Sequence, residues 1–175
     1  LSERPADSPG SIIVSSMEGS RPLLVEVQAL VTSSSSIGMP RRMSAGFDHN
    51  RTSLLVAIME KRLGLNLQGE DIFINIAGGL KISEPAVDMG VAAAIAGSFR
   101  NRSVDPHTVL IGEIGLTGEV RSVMQLEARL AEAERLGFKK CVVPHSIKED
   151  RLINKSSSVR LVPVKTLSDA FDTVF

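Results

Sequence analysis

The segment 85–99, Pro-Ala-Val-Asp-Met-Gly-Val-Ala-Ala-Ala-Ile-Ala-Gly-Ser-Phe, constrains this chain more than any other stretch. Small apolar residues fill nearly every position. A helix made of them has no polar face to turn to water, so it is buried on most of its sides. Proline at its start is tolerated because the first helical N–H has no intrahelical partner anyway. One charge, Asp88, falls about one turn in. A carboxylate near the positive end of a helix is favoured by ~0.3–1 kcal/mol, so capping and ion pairing are the first roles to expect of it.

The elements around that helix alternate. Residues 22–31 read as a strand with alternation at its centre. Ser33, Ser34, Ser35 and Ser36 form a polar loop without the flanking glycines that bring amides to a phosphate. Residues 41–47 are a weaker strand. Asp48 is placed to cap a helix over 50–63, with Leu55, Ile58, Met59 and Arg62 near one side and Gly64 as its stop. A strand over 71–77 ends at Gly78-Gly79, and Ser83 is placed to cap the apolar helix. Short strands follow at 109–114 and 118–120. Ser122 and Gln125 have the spacing of a capping box for a helix running to Leu136. Strands at 140–143 and 159–162 and a helix over 167–174 complete the order. Strands and helices alternate without an internal repeat, which predicts an α/β fold of mixed α+β layers. Residues 1–19, rich in Ser, Pro and Gly, read as a linker or the tail of a preceding domain, with the folded domain over 20–175.

Composition closes off several functions. With 175 residues, 43% of them hydrophobic, the chain builds one core of useful size. Its 20 basic and 20 acidic residues cancel, so any contact with nucleic acid must come from local clustering. No Trp or Tyr and six Phe argue against a sheet that stacks many bases. One cysteine, Cys141, excludes an internal disulfide and a multi-cysteine zinc site. It lies in a strand-like run, where a buried structural thiol is expected. His49, His107 and His145 are dispersed, with no metal-ligand spacing. No apolar run reaches membrane-spanning length, so no membrane partner is expected.

Several stretches carry a family resemblance together: Leu1-Ser2-Glu3-Arg4-Pro5, Arg21 to Val31, Glu84-Pro85-Ala86-Val87-Asp88, Ile111-Gly112-Glu113 on to Arg121, and Leu126-Glu127-Ala128-Arg129-Leu130. In order and spacing they resemble the C-terminal Lon protease-like domain of the RadA (Sms) family of bacterial recombination and branch-migration factors. The resemblance implies a fold of the ribosomal protein S5 domain 2-like type. It also implies that Asp88 stands at the position of the peptidase serine and Arg129 at that of the general-base lysine. A serine–lysine dyad needs a hydroxyl and an amine able to lose its proton, and arginine stays protonated. The expectation is therefore a non-catalytic domain in which Asp88 and Arg129 form a partly buried pair. A rival is an active Ser/Lys peptidase using Ser83, beside Lys81, or another serine. A second rival is a protein-interaction module with no DNA contact.

The resemblance further implies a homohexameric ring, DNA as partner, and a recombinase or replicative helicase as a further one. The setting would be bacterial cytoplasm, or a plastid or mitochondrion in a eukaryote. No Gly-x-x-x-x-Gly-Lys-Ser/Thr phosphate loop is present. ATP, Mg and zinc are expected in an N-terminal part outside this sequence, and no cofactor or metal in this one. Lys81 and Arg121 flank the degenerate site and are the first candidates for DNA contact. Arg41, Arg42 and Arg51 form a second basic set, with Lys61 and Arg62 at the far end of the same helix.

Overall fold

A computed structural model describes residues 1, 3–35, 38–146 and 158–175. Its main sheet is built from β1 (Ser11–Glu18), β2 (Arg21–Ser33), β3 (Arg42–Ala45), β4 (Glu70–Ile76), β5 (Thr108–Leu110), β8 (Lys140–Pro144) and β9 (Arg160–Val164). The strand order is β3-β4-β2-β1-β5-β8-β9. The β1–β2 and β2–β4 pairs are antiparallel, and the β3–β4, β1–β5, β5–β8 and β8–β9 pairs are parallel. A small antiparallel ribbon, β6 (Glu113–Ile114) with β7 (Val120–Arg121), stands apart. Among the described residues the α-helices are α1 (His49–Leu63), α2 (Asp88–Arg100), α3 (Leu126–Arg135) and α4 (Leu167–Val174). This is the mixed α/β layering that the alternation of elements predicts, with a mostly parallel sheet.

The linker expected over 1–19 is not what residues 11–18 form. They are β1, which sits between β2 and β5 in the interior of the sheet. Ile12 and Val14 point into the core shared with α1, α2 and α4, and Ile13 into the core under α3. A strand buried on both faces has no polar alternation to announce it. Here the serines at 11, 15 and 16 are themselves buried, so a serine-rich stretch reads as solvated when it is not.

The apolar helix occupies the place its composition demands. Of its thirteen residues, Asp88 to Gly97 are all buried. A short 3-10 turn over Pro85–Val87 leads straight into it. Ser83 does not cap the helix: it is exposed, and the first turn has no side-chain cap. The backbone of the β5–β6 connection does that work, with the Met89 N–H donating to Gly112 O at 3.1 Å and the Gly112 N–H to Ala86 O at 2.9 Å. The capping box expected at Ser122 is also absent. The helix α3 starts at Leu126, after Gln125 in a left-handed conformation (φ 55°) with no side-chain cap. Asp48 does cap α1, accepting from the Arg51 N–H, and Gly64 ends it at φ 69°.

Helix α2 lies against β1 at one close approach. A Cβ on Gly90 would come to 2.1 Å from Val14 Cγ1, so glycine is required there by contact rather than by its φ. Gly90→Ala is expected to destabilise by roughly 1–3 kcal/mol, the usual cost of overpacking a filled core. Adding Val14→Ala should recover part of the loss. Urea unfolding of the two single variants and the double tests this, and simple additivity would show that the two sites do not share the space.

Candidate functional site

The head of α2 gathers the charged residues that the sequence singles out, but not in the expected pairing. Asp88 is fully buried. Its carboxylate accepts the Ile114 N–H at 3.1 Å and the Arg51 Nε–H at 2.8 Å, with a second bond from the Arg51 terminal nitrogen. The same guanidinium reaches Glu113 at 3.9 Å. Arg51 comes from the first turn of α1, which the Asp48 cap fixes beside the head of α2. Arg51 is the residue that sequence reasoning assigned elsewhere. Its place in the first turn of a capped helix was legible, whereas the crossing of α1 and α2 was not.

Arg129 pairs with another carboxylate. It is 1% exposed, and its two terminal nitrogens bond Glu84 at 3.0 and 2.7 Å. It also donates to Ser15 O at 2.7 Å and to Met124 O at 3.0 Å, and Glu84 accepts the Met17 N–H at 2.6 Å. The expected Asp88–Arg129 pair is thus replaced by two pairs on either side of the 85–88 turn. The bond to Met124 O also accounts for the late start of α3, because it holds the turn at 124–125, with Gln125 left-handed, ahead of the helix.

The electrostatics follow the burial. Loss of water pushes the Asp88 carboxyl above its usual range, against the pull of Arg51 and the Ile114 N–H, while the hydrogen bond that Arg51 donates to Asp88 holds the guanidinium firmly protonated. Across the β6–β7 ribbon, Glu113 stands opposite Arg121. Glu119 bonds the Thr117 hydroxyl, which holds its carboxyl below the usual range with Arg121 assisting.

The remaining candidates are dispersed. Lys81 is exposed, next to Ile82, which bridges to Phe47. Arg121 is exposed on β7. Arg41 pairs with Asp71 at 3.0 Å and lies over the Phe73 ring at 5.5 Å. Arg42 donates to the carbonyls of Glu70 and Leu67. With Arg51 on Asp88, the second basic set is three separately engaged guanidiniums rather than one open patch. Ser83 lies exposed beyond the turn, and neither of its neighbours Lys81 and Glu84 bonds it. Among Ser33 to Ser36, Ser36 lies outside the described residues. Cys141 is buried, and burial pushes its thiol up to about 12. Among the described residues no group of His, Cys, Asp and Glu has the arrangement of a metal site, and no helix is long and apolar enough to cross a membrane.

Comparison with known proteins adds two findings. The family model described as ChlI, subunit ChlI of Mg-chelatase, matches residues 26–147. Over nearly the whole chain there are relatives named DNA repair protein RadA. That of Halalkalibacterium halodurans is 49% identical over 172 residues, which is 98% of this chain and 37% of the relative. Those of Bacillus subtilis and Listeria monocytogenes are 47% and 45% identical over 99% and 97% of this chain. The chain spans a little over a third of the length of these relatives.

Two outcomes are expected from substitutions at this site. Arg129→Ala strands Glu84 and leaves Ser15 O of β1 and Met124 O without their partner, a loss of ~3–5 kcal/mol for a buried pair. Double-mutant cycles should give coupling for Glu84 with Arg129 and for Asp88 with Arg51, and additivity for Asp88 with Arg129. The pH trend at Asp88 also has a definite sign. Its folded pKa is raised, so the folded state binds more protons and this group's contribution to stability rises as pH falls through the raised pKa toward the ordinary carboxylate value. The stability difference between wild type and Asp88→Asn should therefore move in favour of wild type on acidification. A flat difference would mean that Arg51 fully offsets the burial.

Proposed function

We propose, from the premise that the chain belongs to the family described as subunit ChlI of Mg-chelatase and shares nearly its whole length with DNA repair proteins named RadA, that it is a non-catalytic scaffold domain of a DNA repair protein. Relatives covering 97–99% of the chain favour DNA repair over the activity in the family description. The observation that carries the non-catalytic part is the state of Asp88. The residue at the expected nucleophile position is a carboxylate, fully buried, with its oxygens on Arg51 and Ile114. A peptidase of the Lon type needs there a hydroxyl reachable by substrate, beside an amine that can act as base. The other expected position holds Arg129, a guanidinium engaged by Glu84 in place of an amine that can act as base.

In this reading the domain keeps the Lon-like fold and has exchanged its chemistry for two internal ion pairs. It supports a homohexameric ring, whose closed cyclic symmetry requires each subunit to present two different patches. The ATP-driven motor, with its Mg and zinc, belongs to the part of the longer protein outside this chain. The bacterial relatives support a cytoplasmic setting. DNA is contacted through Lys81 and Arg121, both exposed. Arg41, Arg42 and Arg51 are weaker candidates, because each guanidinium already has protein partners.

Peptide hydrolysis by this chain is expected to stay at background, and a serine-directed probe should leave Ser83 unlabelled. Activity that such a probe abolishes would overturn the non-catalytic reading. For DNA, a titration at low salt with unrelated sequences should give a sequence-independent complex. Lys81→Ala and Arg121→Ala should each lower its salt slope by ~1 without changing the thermal melt. The solution mass tests the ring, and a monomer at tens of micromolar would assign ring closure to the rest of the longer protein.

A further inference from the structure

The basic side chains of this protein are unevenly spent. Arg41, Arg51, Arg129 and Arg135 each face a carboxylate. At the opposite end of the parallel strands from Asp88, another group does not. Strands β5, β8 and β9 begin flush, with Thr108 beside Lys140 and Lys140 beside Arg160. His107 O accepts the N–H groups of Lys139 and Lys140 at 2.9 and 3.2 Å, and Lys139 O accepts that of Arg160 at 2.8 Å. Lys139 and Arg160 are exposed and Lys140 is half-buried. Among the described residues none of these three has an ion-pair partner. Asp105, the acidic residue of the turn into β5, is occupied by the His107 N–H at 2.7 Å.

We infer that the rim formed by Lys139, Lys140 and Arg160 is a docking surface for the phosphodiester backbone of nucleic acid, separate from Lys81 and Arg121. The backbone bonds hold the starts of β8 and β9 together, and neighbouring strands lie about 4.8 Å apart. Lys140 and Arg160 therefore stand side by side, with Lys139 one residue away. Three cations on a rigid edge form the electrostatic footprint of backbone binding, which needs no base readout. Lys139, Lys140 and Arg160 outnumber the nearby carboxylates of Asp105, on the His107 N–H, and Glu134, on the Ser158 N–H and hydroxyl, so a chain of zero net charge keeps a local excess of cations that its composition conceals. The choice of nucleic acid among polyanions rests on the DNA-repair reading above, but the residues do not overlap with those proposed there.

The test uses this chain with fluorescein-labelled random-sequence DNA, single-stranded and duplex, titrated across a series of salt concentrations. The triple variant Lys139→Gln, Lys140→Gln, Arg160→Gln is compared with the double variant Lys81→Gln, Arg121→Gln. The triple variant is expected to lower the salt slope on duplex by about 3, roughly 0.9 for each phosphate no longer neutralised, with an unchanged melt. If it melts early, the exposed pair Lys139→Gln, Arg160→Gln replaces it, with an expected drop of about 2. A loss confined to the triple variant upholds the rim and removes Lys81 and Arg121. A loss confined to the double variant overturns the rim alone. Absence of any complex at low salt overturns both DNA surfaces. Binding to phosphatidylserine vesicles, abolished in the triple variant while DNA is ignored, overturns the rim as a nucleic-acid surface.

Discussion

The Glu84–Arg129 pair stands in for a strand that ends early. Strand β5 pairs with β1 only at Ile13–Val109 and Val14–Leu110 and then turns away toward Gly112. The next groups of β1 on that side, the Ser15 carbonyl and the Met17 N–H, are inside the protein and must find partners. Arg129 takes the first and Glu84 the second, and the two side chains bond each other. One ion pair thereby joins β1, the approach to α2 and the start of α3. It also lets the chain after β5 leave the sheet and clasp the head of α2 through Gly112. A buried ion pair gains little net stability over an apolar replacement, but a methionine or leucine at either position would leave a backbone group of β1 unpaired.

That division of labour explains why Asp88 and Arg129 do not meet. Arg129 approaches from the α3 side and is saturated by Glu84, Ser15 O and Met124 O. Asp88 lies on the other side of the same turn, where the first turn of α1 supplies Arg51 and the β6 strand supplies an N–H. Each charge has a nearer opposite charge than the other. Two half-satisfied groups would cost more than two separate complete sets, since an unpaired buried charge carries a desolvation penalty of several kcal/mol.

Much of this arrangement was legible in the sequence, and its gaps have physical causes. The α1 cap at Asp48, its stop at Gly64, the buried helix α2, the strand run into Gly78 and the last helix all follow from local rules, because in each the local signal and the tertiary demand agree. At Ser122 they conflict: Gln125 has the capping-box spacing, but Arg129 holds the Met124 carbonyl, so the helix waits until Leu126. At Ser83 the backbone of a distant segment supplies the cap, which no local pattern records. Strand β1 was hidden because burial on both faces erases alternation and because its serines look like those of a linker. The pairing of Arg51 with Asp88 depends on how two helices cross, which is a property of the assembled layers.

The charge pattern shows a similar limit. Twenty basic and twenty acidic residues sum to zero, yet their neutralisation is local and uneven. Along the sequence, Arg41, Arg42 and Arg51 look like the densest basic set, while Lys139, Lys140 and Arg160 lie far apart or in an ordinary strand. Folding reverses the ranking. Asp71, Asp88 and the carbonyls of Leu67 and Glu70 absorb the first set, and the parallel register of β8 and β9 brings Lys140 next to Arg160, neither of them in an ion pair among the described residues. The field available to a partner is therefore set by which cations the fold leaves unspent, not by how many lie close in sequence.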